Sequence, residues 1–257
     1  MDLKGKTVLI TGGRRVGSAL ALMLADRGAN VALTYHTSRR AIEQTAGEVE
    51  ARGVGSLAVG ADLSDADQAH AAVDKVVERF GRLDALVNMA SVFRRTPFRS
   101  LASADFDAMI AANLAAPYHS AVAAGQQMLT QSSDSESNLK GKIVNVGDWS
   151  TERPYKDYLP YIVAKGGLTT MTLALAVELA PDVAVTMVQP AMIDPPPTLT
   201  PEEHAAVIAA TPLKRAGTPG DANRMILYLL EGTDYATGAC YRVDGGRFLG
   251  VDPIGDA

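Results

Sequence analysis

Short runs rich in β-branched residues alternate with longer alanine- and leucine-rich stretches along the whole sequence, and this rhythm constrains the fold more than any other feature. Residues 7–11 (TVLIT), 30–35 (NVALTY), 56–63 (SLAVGADL) and 83–90 (LDALVNMA) read as strands. So do 142–148 (KIVNVGD), 182–190 (DVAVTMVQP) and 240–246 (CYRVDGG). Helical patterns fall at about 17–28, 38–52, 65–80, 103–110 and 159–180, with a long helix around Asn113. Short apolar strands separated by helices need cover on both faces. The sequence therefore predicts an α/β fold, a doubly wound parallel sheet of about seven strands, in a single domain over residues 1–257. Ligands in such sheets lie beyond the carboxyl ends of the strands. The tips that matter are then 11–17, 35–40, 60–63, 88–95, 146–161 and 190–200.

Two segments interrupt the rhythm. Residues 130–142 (TQSSDSESNLKGK) predict a mobile, polar surface loop on the face away from those tips. Residues 190–217, proline-rich and then offering one short helix, predict a lid over a substrate, with a purely structural excursion as the alternative. The net charge of −5, with both signs scattered, argues against a nucleic-acid binder. Cys240 is the only cysteine, which excludes an intrachain disulfide and a cysteine metal cluster. The four histidines lack close spacing with one another, so no metal is expected. No stretch reaches 18 uninterrupted apolar residues, and the first residues run straight into a strand, so a cytoplasmic protein with no membrane partner is expected.

The first tip reads TGGRRVG (11–17). Gly12 and Gly13 permit a tight turn, Gly17 lets the next helix approach a ligand closely, and the free amides of that helix favour a pyrophosphate. The second tip, TYHTSRR (34–40), has no acid for a ribose diol until Glu43. His36, Ser38 and Arg39 instead suit a 2′-phosphate, so NADP(H) is the expected cofactor, with Arg40 left to solvent. At the third tip Asp62 either accepts from an adenine amine, with Leu63 bordering the ring, or caps the next helix, where Ser64 is an equal candidate.

Tyr161 and Lys165 stand four apart on a helical stretch and so share a face. A lysine there predicts a lowered tyrosine pKa and a phenol able to donate a proton as hydride arrives. Together with NMAS (88–91), Asn113 and YATGACYRVDGG (235–246), the pair resembles the short-chain dehydrogenase/reductase family over essentially the full length. The resemblance implies a Rossmann-like fold and gives Tyr161 the role of proton donor. Lys165 would be the ribose-binding and tuning residue, and Asn113 the support of a proton path. It also places Asn88, Ala90 and Pro190 along the cofactor. It further implies a homotetramer, for which the apolar MILYLLEG (225–232) and the C-terminal FLGVDPIGDA are the candidate contacts, core packing of the former being equally acceptable.

Departures from the family speak to substrate. Asp148 stands thirteen before Tyr161, where a serine commonly orients a carbonyl, and Ser150 is two residues away. A carboxylate at that place suits a substrate bearing N–H groups or a relayed proton, or else it stabilises the loop. Arg15, Asp148 and Phe93, the last five after Asn88, resemble the pteridine reductase branch. Phe93 would stack on a flat heterocycle or pack under the lid; Arg15 would reach pyrophosphate alone or the ring as well; Trp149, next to Asp148, joins them as a substrate-binding candidate. The expected small-molecule reaction is hydride transfer to a pteridine-like C=N bond. The alternatives are a 3-oxoacyl or small carbonyl reductase and an inactive NADP-binding regulator. The glycine loop is one residue short of the usual spacing, Met89 replaces a second asparagine, Ala191 replaces a glycine, and Asp194 stands near an expected phosphate.

Overall fold

The computed structural model describes residues 1–12, 14–193 and 199–250. Its seven strands are β1 (Thr7–Thr11), β2 (Asn30–Tyr35), β3 (Ser56–Gly60), β4 (Ala85–Asn88), β5 (Gly141–Val146), β6 (Val183–Pro190) and β7 (Ala239–Val243). They form one sheet in the order β3-β2-β1-β4-β5-β6-β7, every neighbouring pair parallel. Among the described residues the α-helices are α1 (Val16–Ala25), α2 (Arg39–Glu50), α3 (Ala66–Phe80), α4 (Ser103–Ile110), α5 (Ala116–Leu129), α6 (Leu159–Glu178), α7 (Pro201–Ala209) and α8 (Pro219–Leu227). Chain order reverses between β1 and β4, whose last residues, Thr11 and Asn88, pair with each other. A crevice at the carboxyl ends there is the natural ligand site.

Alternation along the strands divides the core. Val8 and Ile10 of β1 face one layer, with Leu20, Leu24, Ile42 and Ile226, while Leu9 faces the other, with Val76, Met128, Leu168 and Met171. A one-residue slip would exchange those faces, so burial on both sides fixes the register. Each fully buried Leu or Ile contributes roughly 1.5–3 kcal/mol over leaving it exposed.

Local signals set several boundaries. Neither Asp62 nor Ser64 caps α3: the cap is Asp65, whose carboxylate accepts from the Gln68 amide, and Gly81 ends the helix at φ 80°. Asp62 instead accepts from the amide and the hydroxyl of Ser64, a local turn that removes both from capping. Thr200 and Thr218 open α7 and α8 with capping boxes completed by Glu203 and Asp221. Helix α7 is the short helix expected within 190–217, a segment also tied by a bridge between Ile193 and Gly217.

Strand β5 takes up the last two residues of the polar stretch 130–142, and Lys142 is fully buried, donating to the carbonyls of Leu229 and Leu230. Asp134 in the same stretch is held by Lys6 at 2.6 Å, just before β1, which places it at the amino ends of the strands. Ile226, Leu227, Leu229 and Leu230 are buried within the chain itself, so MILYLLEG is core here, with only Tyr228 among its large apolar residues exposed. Helix α6 is long and apolar enough to cross a membrane by length and composition, but half of it is buried in the fold, as in a core helix. Residues 251–257, the end of the expected C-terminal contact, lie outside the described residues, as do Gly13 and Asp194.

Candidate active site

The turn after β1 is shaped for close backbone approach. Gly12 adopts φ 71°, and a Cβ there would lie 2.6 Å from the Ala90 Cα. A Cβ on Gly17 would lie 2.8 Å from the Gly12 carbonyl oxygen. Only glycine fits both positions, so the β1 turn, the β4 tip and the start of α1 form one backbone cradle. Thr11 fastens it, its Oγ1 accepting from the amides of Met89 (3.0 Å) and Ala90 (3.2 Å). Arg15, at φ 52°, holds the residue position before α1 in the left-handed region, where a side chain is strained. Asn88 is buried at the end of β4, donates to Asn145 and the Pro117 carbonyl, and keeps its own Oδ1 without a partner among the described residues. A cradle that excludes Cβ atoms, beside a helix start, fits the diphosphate of a dinucleotide.

The β2 tip is exposed. His36 and Arg39 face solvent, Ser38 occupies the cap position of α2 without a side-chain bond, and Arg39 is held by Glu43 at 2.7 Å. Glu43, by hydrogen bond and charge, raises the Arg39 pKa. Asp62 has its carboxyl held below the usual value first by its Ser64 bonds. Leu63 is buried among Val59, Ala69, Ala72 and Ala116. Pro190 closes β6 and pairs with Val243.

At the β5 tip the catalytic candidates converge. Helix α6 begins at Leu159 with Pro160 in its first turn, a position that needs no amide donor. One turn inside, Tyr161 is 5% exposed and Lys165 2% exposed. The Tyr161 hydroxyl donates to Asp148 Oδ2 at 2.7 Å, while Asp148 Oδ1 accepts from the Ser150 amide at 2.8 Å. One Asp148 oxygen thus caps the 3₁₀ turn Trp149–Thr151, the loop-stabilising role expected as the alternative, and the other holds the phenol. Lys165 Nζ donates to the Val146 carbonyl at 2.8 Å and lies 5.9 Å from the Tyr161 ring centre.

This geometry reverses one electrostatic expectation. The phenol of Tyr161 is held well above its ordinary value of 10, first by burial and then by the Asp148 carboxylate. The Lys165 ammonium does not overcome them, and burial pushes its own pKa down to about 8 against the opposing pull of Asp148. The resting site is therefore a neutral phenol donating to a carboxylate.

Asn113 is fully buried in a π-helical turn (Ala111–Ala115) between α4 and α5. Its Oδ1 accepts from Ser91 Oγ (2.7 Å) and the Val92 amide (3.1 Å). Its Nδ2 donates to the carbonyls of Val92 (3.0 Å) and Met109 (3.2 Å). The amide's hydrogen-bonding capacity is taken up, so this side chain positions the 91–92 corner. That corner carries Phe93, which is 46% exposed, stacked on Tyr158 at 4.5 Å and edge-on to Tyr161 at 5.0 Å. One side of its ring is thus already covered by Tyr158. Trp149 is nearly buried, with Tyr155 at 6.3 Å and the Arg247 guanidinium over its ring at 5.2 Å. Burial and then Asp148 raise the Tyr155 pKa as well.

Tyr155, Tyr158, Ser91 and Arg247 went unremarked at the sequence level. The three-residue spacing of Tyr155, Tyr158 and Tyr161 was the available signal for an aromatic wall. Arg247 left none, because its place beside Trp149 depends on the return of the chain after β7.

A family model described as enoyl-(acyl carrier protein) reductase matches residues 13–247. The 3-oxoacyl-[acyl-carrier-protein] reductase FabG of Staphylococcus aureus is 32% identical, over 95% of this chain and 98% of its own. Among solved structures, acetoin dehydrogenase from Enterobacter cloacae superposes with a TM-score of 0.85 at 28% identity, covering 98% of this chain and 99% of its own. NAD⁺-bound xylitol dehydrogenase gives 0.87 at 25% identity, covering 96% and 100%. With a glycine cradle at the switch point and a Tyr–Lys pair on α6, the chain belongs to the short-chain dehydrogenase/reductase family of NAD(P)-dependent oxidoreductases.

Proposed function

We propose that the protein is an NADPH-dependent reductase of small carbonyl or oxoacyl compounds, with Tyr161 as proton donor. The observation that carries this reading is the buried Tyr161 hydroxyl, neutral and already aimed at a hydrogen-bond acceptor, one helical turn before a buried ammonium. When bound, the cofactor would supply hydride to the carbonyl carbon. Gly12, Gly17 and the start of α1 would hold its diphosphate, and His36, Ser38 and Arg39 its 2′-phosphate. Arg15, Asn88, Ala90 and Pro190 would border it, with Asp62 and Leu63 at the adenine end.

As the carbonyl oxygen becomes an alkoxide, the Tyr161 O–H swings from Asp148 to that oxygen and its proton completes the alcohol. The phenoxide left behind faces the Asp148 carboxylate, an uphill state that the Lys165 ammonium offsets. Lys165 has donors to spare beyond its bond to Val146, and these suit the ribose hydroxyls. Likeness to the S. aureus 3-oxoacyl reductase supports the carbonyl substrate.

A second reading, reduction of a pteridine-like C=N bond, is favoured by one observation. A carboxylate stands where a serine would orient a carbonyl, and its Oδ2 is an acceptor that ring N–H groups match. Exposed Phe93 offers a surface for such a ring. NADPH consumption measured side by side with a 3-oxoacyl thioester, a diketone and a dihydropterin separates the two. Higher kcat/KM on either carbonyl is the expected result. A clear preference for the dihydropterin transfers the conclusion to the second reading, and tight NADPH binding without turnover on any of the three makes the chain a cofactor-binding regulator.

A further inference from the structure

Beyond the carboxyl ends of β6 and β7 lies a cavity of about 550 Å³, bounded by Ala191 and Met192, the end of α7, residues 211–217 and the turn after β7. Three arginines line it: Arg215, Arg242 and Arg247. Two of them are neutralised, Arg215 by Asp221 at 2.7 Å and Arg242 by Glu152 at 3.1 Å. Arg247 forms no ion pair among the described residues. Its guanidinium lies over the Trp149 ring and donates a hydrogen bond to the Val207 carbonyl of α7. Among the described residues the one carboxylate close in sequence, Asp244, is occupied by the amides of Gly246 and Phe248.

A half-buried cation without a counter-charge among the described residues is costly. Burial lowers the Arg247 pKa, and Arg153, whose guanidinium bonds the carbonyls of Arg247 and Phe248, adds like charge. An arginine fork is weakly hydrated and matches a carboxylate bidentately, so this position suits an anionic ligand group. The cavity rim is apolar, with exposed Leu213 and Leu249. Trp149 links the two places, since it follows Asp148 directly in sequence and carries Arg247 on its ring.

We infer that Arg247 recognises an anionic group of the substrate, and that the preferred substrate is a small oxo acid with an apolar body. This rests on the reductase reading above and names the substrate class for the same site. Arg247 is the specificity residue: it binds the carboxylate while Tyr161 serves the oxo group.

The test uses the full chain with NADPH and two probes, acetoacetate and its methyl ester. Replacing a charge-assisted bond by an apolar side chain in Arg247→Met should raise KM for the acid about tenfold or more. The ester KM should move by less than about threefold, and Arg247→Lys should recover part of the acid's affinity. Trp149 is the only tryptophan, which gives a readout independent of turnover. Butyrate should change its fluorescence saturably in the unmodified protein and lose that effect in Arg247→Met. Equal KM changes for acid and ester, with no saturable fluorescence response, overturn the inference and leave the reductase reading standing. A saturable, Arg247-dependent response without turnover of either probe sustains the anion site and overturns the oxo-acid substrate, while the thioester and diketone assays decide the reductase reading. If Arg247→Met does not fold, the unmodified protein decides: no preference for acid over ester and no response to butyrate overturns the inference.

Discussion

The phenol end and the ribose end of this site are built on opposite physical terms. Around Tyr161 the reacting groups are buried, and the Asp148 carboxylate, the Ser150 amide and the Val146 carbonyl are in place before any ligand arrives. At the β2 tip, His36 and Arg39 stand in solvent, and Arg39 is occupied by Glu43. The first end is pre-organised, so its energy goes into reaction. The second must exchange a solvent-screened surface ion pair for a phosphate contact, so its gain per residue is small.

The largest effect should follow Tyr161→Phe: kcat falls by about 10²–10⁴, the range for loss of a positioned proton donor, with NADPH affinity changed by less than about threefold. Near-normal turnover in stopped-flow reduction would erase the contrast between the two ends. Next comes Lys165. Its folded pKa of about 8 lies below the ordinary 10.5, so between those values the unfolded chain binds the proton more strongly, and stability rises with pH through that window. Urea titrations of Lys165→Met should lose that rise relative to the unmodified protein, together with about 10² in kcat/KM. A matching pH slope in both would mean that the ammonium is solvated.

Smaller effects belong to the open end. Arg39→Ala should weaken NADPH by only about three- to tenfold and NADH hardly at all, while Glu43→Gln, which frees the guanidinium, should tighten NADPH slightly; calorimetric titration reads both. Equal losses for the two cofactors would remove Arg39 from phosphate recognition. Smallest is Asp65→Ala, the α3 cap. It should cost ~1 kcal/mol and ~2–4 °C in Tm, with kcat unchanged, and so serves as the measure of fold loss without site loss.

What the sequence disclosed divides along the same line. The period-two strands, the Tyr–Lys spacing on one helix face and the glycine turn were legible because each is a local pattern acting over a few residues. The carboxylate at 148 was legible as a departure, but its division between a turn amide and a phenol was not. The direction of the Tyr161 pKa was misread: four-residue spacing reports the lysine's proximity, whereas burial and Asp148 depend on how α6 closes over β5. Asp65 displaced Asp62 and Ser64 as the α3 cap because those two satisfy each other in a turn. Residues 225–232 turned inward because their apolar faces complete the layer against α1.

The saturated amide at Asn113 has a chemical corollary. It meets two carbonyls with its nitrogen and two donors with its oxygen, so the corner it braces demands one end of each polarity. Aspartate, the isostere, would turn an acceptor against Val92 and Met109, and leucine would strand all four groups in a dry interior. Among side chains of that size, asparagine alone supplies both polarities, which ties the seating of the aromatic wall to a single residue's valence.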